Sequence, residues 1–141
     1  MVNSAALLRI SELLPAIVTK ATSGFGSFIN IFLHAKNDKE FRGWIYQCDW
    51  ILNVDGSDVA HSADMSKQNF NSIFFGKKLE AVFENIDKNV ILKFSTGTTL
   101  TLIARPDLYG QDDLIIFFFG DGETVSYKPT VGFYREFEQP L

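Results

Sequence analysis

The stretch from Gly43 to Val54, GWIYQCDWILNV, carries the clearest structural pattern in the chain. A β-strand points successive side chains to opposite faces of its sheet. Alternate residues of this stretch form one apolar row and one largely polar row, so they predict a single long, half-buried strand. We expect the apolar row, which holds both tryptophans of the chain, to face the core; it consists of Trp44, Tyr46, Cys48, Trp50, Leu52 and Val54.

The composition of the chain is that of one β-rich globular domain. Its 141 residues are enough to bury a full core, and its 14 phenylalanines favour sheets over a helical bundle. The single cysteine, Cys48, excludes an internal disulfide and fits a reducing compartment. The N-terminal residues lack the basic leader of a secretory signal, and no window reaches the roughly 20 apolar residues of a membrane span. The sequence therefore predicts a soluble, cytoplasmic protein.

The charge balance bears on the kind of partner. The formal net charge is −4, from 13 basic and 17 acidic residues. A nucleic-acid-binding protein usually carries a clustered basic face, which supplies most of its binding free energy. The balance therefore argues against nucleic acid as a partner and is compatible with a basic protein.

Two short helices and a series of antiparallel strands are predicted along the chain, which makes the fold class α+β with the helices covering one face. Ser4 is expected to cap the first helix and Pro15 to end it. Asp64 or Ser66 caps the second, with Gly76 at its C′ position. Strands are predicted at residues 16–22, 28–33, 43–54, 58–62, 77–84, 90–94, 98–103, 114–119 and 123–127, with an edge strand after Pro129 and a solvated loop at residues 34–43.

The side-chain pattern also predicts which faces of two strands are buried. In the strand at residues 77–84, Leu79, Ala81 and Phe83 are expected to share one side. Residues 114–119, LIIFFF, are apolar in both phases and indicate a central strand covered on both faces.

The two halves of the chain repeat the same order of elements. Asp55-Gly56 and Asp121-Gly122 are the strongest hairpin signals and stand at equivalent points, with Trp50 opposite Ile116. We therefore predict a degenerate duplication within a single domain, although hairpin meanders resemble one another even without a common origin. The predicted units are residues 4–63 and 64–128, followed by a C-terminal extension at residues 129–141.

No pattern for catalysis, cofactor binding or metal binding is present. His34 and His61 are the two histidines of the chain, and neither has the spacing of a zinc ligand. Cys48 lies mid-strand in the apolar row, where a thiol behaves as a small hydrophobe. The run SGFGS at residues 23–27 lacks the lysine and following helix of a phosphate loop, so it predicts a turn. We expect no catalytic, cofactor-binding or metal-binding residues.

Two surfaces are candidates for partner binding. One is an acidic patch in turns and a loop, which favours solvated charge over paired catalytic carboxylates. The other is the C-terminal tail, where aromatic residues alternate with charged ones, as at interface hot spots, although Phe133 and Phe137 are equally suited to inward packing. The candidate residues are Asp107, Asp112, Asp113, Asp121 and Glu123 in the patch, and Tyr134 and Arg135 in the tail.

Several short motifs are shared with a known group of proteins. They are G-x-G-S-F at residues 24–28, G-W-I-Y-x-C-x-W at 43–50, Ser62 after the hairpin, G-K-x-L at 76–79 and F-x-x-G-x-x-L at 94–100. In these motifs, which span about residues 24 to 127, the chain resembles small bacterial immunity proteins encoded beside polymorphic or contact-dependent growth-inhibition toxins. The resemblance implies a cytoplasmic protein that binds and blocks a cognate toxin, commonly a nuclease. On that basis Asp107, Asp112 and Asp113 are expected to be rim charges, and Tyr109 an anchor.

Two other functions stay open. The first is a binding or assembly module without a toxin, including a homodimer joined by edge strands. The second is a small-ligand binder or an enzyme, for which a deep polar pocket near Asp49 or His61 would be the sign.

Overall fold

The computed structural model describes residues 4–23, 28–45, 49–62, 70–104 and 113–137. Within these ranges the chain forms two short helices and eleven strands, and all neighbouring strands are antiparallel, which confirms the predicted α+β class. The helices are α1 (Ser4–Ser11) and α2 (Phe70–Phe74). The strands are β1 (Ala16–Ser23), β2 (Ile29–His34), β3 (Glu40–Ile45), β4 (Asp49–Val54), β5 (Ser57–His61), β6 (Lys78–Glu84), β7 (Val90–Phe94), β8 (Thr98–Ile103), β9 (Ile115–Phe118), β10 (Glu123–Lys128) and β11 (Gly132–Phe137).

The strands form one sheet in the order β11-β10-β9-β3-β2-β1-β6-β7-β8-β4-β5. In a flat sheet, β3 and β4 would lie about 29 Å apart, because six strand spacings of about 4.8 Å separate them. Yet Ile45 ends β3 and Asp49 begins β4, and four residues span at most about 14 Å. The sheet is therefore strongly curved. The Tyr127 hydroxyl of β10 accordingly donates a 2.9 Å hydrogen bond to the carbonyl of Lys88, beyond β6.

The curved sheet has two arms of matching order. The first arm is β1, β2, β3, β9, β10 and β11, and the second arm is β6, β7, β8, β4 and β5. They meet where Ala16 and Ile17 pair with Leu79 and Lys78. Each arm takes its first three strands from one half of the chain and its remaining strands from the other half. The predicted units at residues 4–63 and 64–128 are thus not separate in space, and their common origin stays a prediction.

The predicted strand from Gly43 to Val54 is wrong, because it is divided between the two arms. β3 pairs with β2 and β9, whereas β4 pairs with β8 and β5. Trp50 faces the core and is 1% exposed, but Trp44 is half-buried on the opposite, outer face. Tyr46 and Cys48 lie outside the described residues.

Gly43 explains why the alternation of apolar residues predicts the wrong buried face for β3. The buried row of β3 is Phe41, Gly43 and Ile45. A Cβ atom on Gly43 would lie 3.2 Å from Cε1 of Phe117 on the neighbouring strand. Because the ring of Phe117 fills the space that a side chain at position 43 would occupy, the inward row contains a residue that the sequence pattern does not count as apolar.

Half of the predicted solvated loop at residues 34–43 is strand. His34 still belongs to β2, and Glu40 already begins β3. The connecting turn is closed by a 2.7 Å hydrogen bond from the Ala35 N–H to the Lys39 carbonyl. Phe41, which is 5% exposed, continues the core through the charged stretch.

A β-bulge overturns the predicted face of β6. The pairing of β6 with β7 shifts between Leu79 and Ala81. Leu79 and Val82 are therefore the buried residues, and Phe83 is 40% exposed. β1 carries the matching irregularity between Val18 and Lys20. The added residue reverses the alternation, so a strict period of two fails in both strands.

The core lies between the facing inner surfaces of the arms, and both helices contribute to it. α1 provides Ala6 and Ile10, and α2 provides Phe70 and Phe74. The ring of Phe70 meets Trp50 edge to face at 5.4 Å between centroids. The described helices belong to this interior and do not cover the outer faces of the arms, although Thr124 and Ser126, which point outward from β10, are buried.

Candidate protein-binding face

One row of side chains crosses the outer face of the first arm, with one residue from each of four neighbouring strands. Lys20 of β1 pairs with Phe32 of β2, Phe32 with Arg42 of β3, and Arg42 with Phe118 of β9. The Lys20 Nζ atom lies 5.8 Å from the centroid of the Phe32 ring, and Arg42 Cζ lies 4.5 Å from that of Phe118. We call these four residues the aromatic–cation row.

A second row beside it extends the aromatic surface. Trp44 pairs with Ile116, which in turn pairs with Ser126. The Trp44 ring lies 5.8 Å from that of Phe28 and 6.5 Å from that of Phe118. The rings therefore form one continuous patch rather than isolated exposed side chains.

The patch is accessible and has a concave part. Phe32, Arg42, Trp44 and Phe118 are half-buried, and Lys20 is exposed. Beside Phe32 the surface forms a groove of about 330 Å³. The groove is lined by Thr19, Lys20, Phe32, Leu33, Glu40 and Phe41.

The second arm shows that the fold itself does not require aromatic and cationic side chains in this row. Its strand pairing places Ala81, Lys93, Thr99 and Asn53 in a row that matches Lys20, Phe32, Arg42 and Phe118. Ala81 directly follows the bulge of β6, as Lys20 follows the bulge of β1. The matching row contains no aromatic residue, although it occupies the same place in an arm of the same order.

The strand register also corrects the predicted equivalence of the two halves. Gly43 pairs with Phe117 in the first arm, and Leu100 pairs with Leu52 in the second. Phe117 therefore matches Leu52, and Trp50 matches the buried Ile115 rather than Ile116. Ile116 and Phe118 are half-exposed, so the predicted coverage of both faces of β9 is wrong as well.

Two of the sequence-predicted site residues lie on the same outer face. Tyr134 pairs with Ser126 at the end of the second row, and its hydroxyl donates a hydrogen bond to Asp113. Burial, together with the Asp113 carboxylate, raises the pKa of Tyr134 well above its ordinary value. The hydrogen bond from this hydroxyl holds Asp113 beside the aromatic patch.

The other described candidates, Asp121, Glu123 and Arg135, gather on the inner side around Arg9 of α1. Arg9 contacts Glu123 through Nε at 2.8 Å and Asp121 through Nη2 at 2.9 Å. Arg135 pairs with the same Glu123 carboxylate. Glu123 is 4% exposed, so the prediction of a solvated charge is wrong for this residue.

This ion cluster fastens α1 to β10 and β11. The Arg9 guanidinium also lies 4.2 Å from the centroid of the Phe119 ring. A hydrogen bond from the Glu123 N–H, together with Arg9, lowers the pKa of Asp121 below its usual value. The buried Glu123 carboxylate contacts an arginine from α1 and another from β11, so it has a structural role in holding these elements together.

Asp107, Tyr109 and Asp112 lie outside the described residues, as do residues 24–27 of the predicted turn and the predicted caps Asp64 and Ser66. Phe133 is 1% exposed, so this tail residue packs inward. Asp49, near which a polar pocket would be the sign of a ligand-binding protein, accepts a 3.4 Å hydrogen bond from the Ser62 hydroxyl.

Sequence reasoning missed the aromatic–cation row. The sequence pattern predicts a loop at Arg42 and a strand covered on both faces at Phe118. Lys20 and Phe32 lie on two further strands, with a bulge between Val18 and Lys20. One local signal was present at residues 114–119, where the residues that point away from the core are apolar as well. A strand with one face toward solvent does not need apolar residues on that face.

A comparison with known protein families, curated proteins and solved structures found no match. Among the described residues, no three histidine, cysteine, aspartate or glutamate side chains gather closely enough to hold a metal ion. In those same ranges, no helix has the length and apolar character needed to cross a membrane.

Proposed function

We propose that this protein is an immunity protein, which binds a cognate toxin through the outer face of the first arm and thereby blocks it. The observation that carries the proposal is the aromatic–cation row of Lys20, Phe32, Arg42 and Phe118. The second arm has the same strand order but a largely polar row in its place. Since the fold tolerates the polar row, the aromatic one is better explained by binding.

The residue types of this face support a protein partner. Tryptophan, tyrosine and arginine are enriched among the few residues that dominate binding free energy at interfaces. Here Trp44, Arg42 and Tyr134 share one face with Phe32 and Phe118. Rings held by neighbouring strands lose little conformational entropy on binding, which favours slow dissociation.

The charges support a partner that approaches by electrostatic attraction. Asp113 is held at one end of the face by Tyr134, and Asp107 and Asp112 precede it in the sequence. An acidic rim would speed association with a basic toxin domain. Binding alone is enough to block a toxin, so this function requires no catalytic reaction.

Co-expression tests this function. The toxin domain encoded next to this protein is induced in cells that carry this protein or an empty vector, and the viable count is measured. We expect survival with this protein and killing without it. Death of the cells despite normal levels of folded protein would exclude immunity to that toxin.

Self-association is the second candidate, because the two edges of the sheet differ. β5 pairs with β4 through a register shift, a feature that disfavours further strand addition. β11 pairs with β10 in unbroken register over six residues and forms the other edge. A dimer mass by light scattering that falls to monomer when Tyr134 is replaced by proline would support assembly through β11.

A further inference from the structure

We infer that the partner segment facing β1, β2 and β3 is acidic, with two carboxylates about 10 Å apart and an apolar side chain between them. This inference rests on the proposed function, which gives the binding face but leaves the chemistry of the partner open. It also differs from the expectation drawn from the net charge, because the local charges are opposite to that of the whole chain.

The first observation is that the two cations of the aromatic–cation row have no acidic partner among the described residues. Within the described ranges, neither Lys20 nor Arg42 forms a salt bridge. The hydrogen bond of Arg42 is a 3.4 Å contact to the Asn30 side chain. Arg9 and Arg135, by contrast, both form salt bridges with Glu123, and Arg9 forms a second one with Asp121. The charges of Lys20 and Arg42 are therefore available to a partner.

The second observation is the distribution of charge over the face. Glu40, the acidic residue near this part of the row, is exposed and has His34 Nδ1 3.9 Å away. Glu136 and Asp113 lie toward β11, at the opposite end of the arm. The section over β1, β2 and β3 thus carries two cations against one carboxylate. The section toward β11 carries the two carboxylates of Glu136 and Asp113 against one cation, Lys128, whose Nζ lies 5.5 Å from the centroid of the Tyr134 ring. A partner can be basic overall and still present carboxylates to the first section.

The third observation is the spacing. Lys20 and Arg42 lie on either side of Phe32, two strand spacings apart, which is about 10 Å. The groove of about 330 Å³ opens beside the ring of Phe32. Two carboxylates on the flanking cations would leave an apolar side chain between them over the ring. In a helix, residues seven apart are separated by about 10.5 Å and share one face, so they meet this spacing.

Two synthetic helical peptides test the inference without a toxin. The first carries Glu at positions i and i+7 with Leu at i+3 and i+4, and the second has Lys in place of both Glu. Each is titrated into the intact protein, and the indole N–H signal of Trp44, assigned with a Trp44→Phe variant, is followed by NMR. We expect saturable binding of the Glu peptide and at least about fivefold weaker binding of the Lys peptide, which corresponds to about 1 kcal/mol.

Matched variants locate the contact. Arg42→Ala is expected to weaken binding of the Glu peptide by about fivefold, whereas Thr99→Ala, its counterpart on the second arm, leaves binding unchanged. Equal or tighter binding of the Lys peptide, no saturable binding of the Glu peptide, or equal effects of both substitutions would overturn the inference. These results are independent of survival in co-expression. If the toxin kills the cells but the protein still prefers the Glu peptide, immunity is refuted and the acidic segment is not. If the cells survive but the protein does not prefer the Glu peptide, the acidic segment is refuted and immunity is not.

Discussion

Gly43 and Phe117 face each other in the first arm, where the second arm has Leu100 and Leu52. A new Cβ on Gly43 would lie 3.2 Å from the Phe117 ring, so we expect Gly43→Ala to lower the free energy of unfolding by about 1–2 kcal/mol. Phe117→Leu should also be destabilising because it leaves a cavity. The double variant should lose less than the sum of the two, as measured by urea unfolding. Additive losses would show that the two side chains do not share this space.

Tyr127 and Tyr134 give the protein a defined response to alkaline pH. Burial, together with the Glu84 carboxylate, raises the pKa of Tyr127 well above its ordinary value of 10, and the pKa of Tyr134 is raised as well. Above about pH 10 the unfolded chain releases these protons while the folded chain retains them. Their stabilising contribution is therefore complete below pH 10 and falls as the pH rises further.

We expect the free energy of unfolding of the wild type to fall between pH 9 and pH 11, and to fall less steeply for Tyr127→Phe. Urea titrations across this range measure both slopes. Tyrosinate absorbance should show two of the four tyrosines ionising only when the protein unfolds. Parallel pH profiles for the wild type and the variant would contradict the role of Tyr127.

At the scale of elements, α1 depends on the ion cluster around Glu123. Glu123→Gln leaves Arg9 and Arg135 without their shared counter-charge in a largely buried place, and we expect a loss of about 2–3 kcal/mol in urea unfolding. Asp121→Asn is the control, because its carboxylate is more than half exposed; its loss should stay below about 1 kcal/mol. Equal losses for the two substitutions would show that burial of Glu123 has no energetic consequence.

The turns were the elements most accessible from the sequence. Gly56 and Gly76 have positive φ angles, as their predicted hairpin and C′ positions require. This requirement is local and can be read without knowing the fold. The faces of β3 and β6 could not be read in the same way, because a glycine in the buried row and a bulge both break the simple alternation.

The site was hidden for a related reason. The sequence does indicate Asp113, through the acidic patch, and Tyr134, through the aromatic tail. Lys20, Phe32, Arg42 and Phe118 come from four strands, and only the strand register brings them into one row. Pairing between distant strands is a long-range property, and no local pattern records it.

At the scale of the whole molecule, each arm needs strands from both halves of the chain. β4 and β5 complete the second arm, and β9, β10 and β11 complete the first. We expect a chain cleaved at a protease site introduced between Ala63 and Asn69 to remain one particle, because separation would expose the core of both arms. Size-exclusion chromatography after cleavage checks this. Two separately eluting folded fragments would contradict the shared arms.

The most direct test of the binding face compares the two arms of the same molecule. Phe32→Ala removes a ring from the aromatic–cation row, and Lys93→Ala changes the matching position on the second arm. The affinity of each variant for the purified toxin domain is measured by calorimetry. We expect Phe32→Ala to weaken binding at least tenfold, about 1.4 kcal/mol, and Lys93→Ala to bind like the wild type. Wild-type affinity for Phe32→Ala, or an equal loss for Lys93→Ala, would show that the partner does not bind at this face.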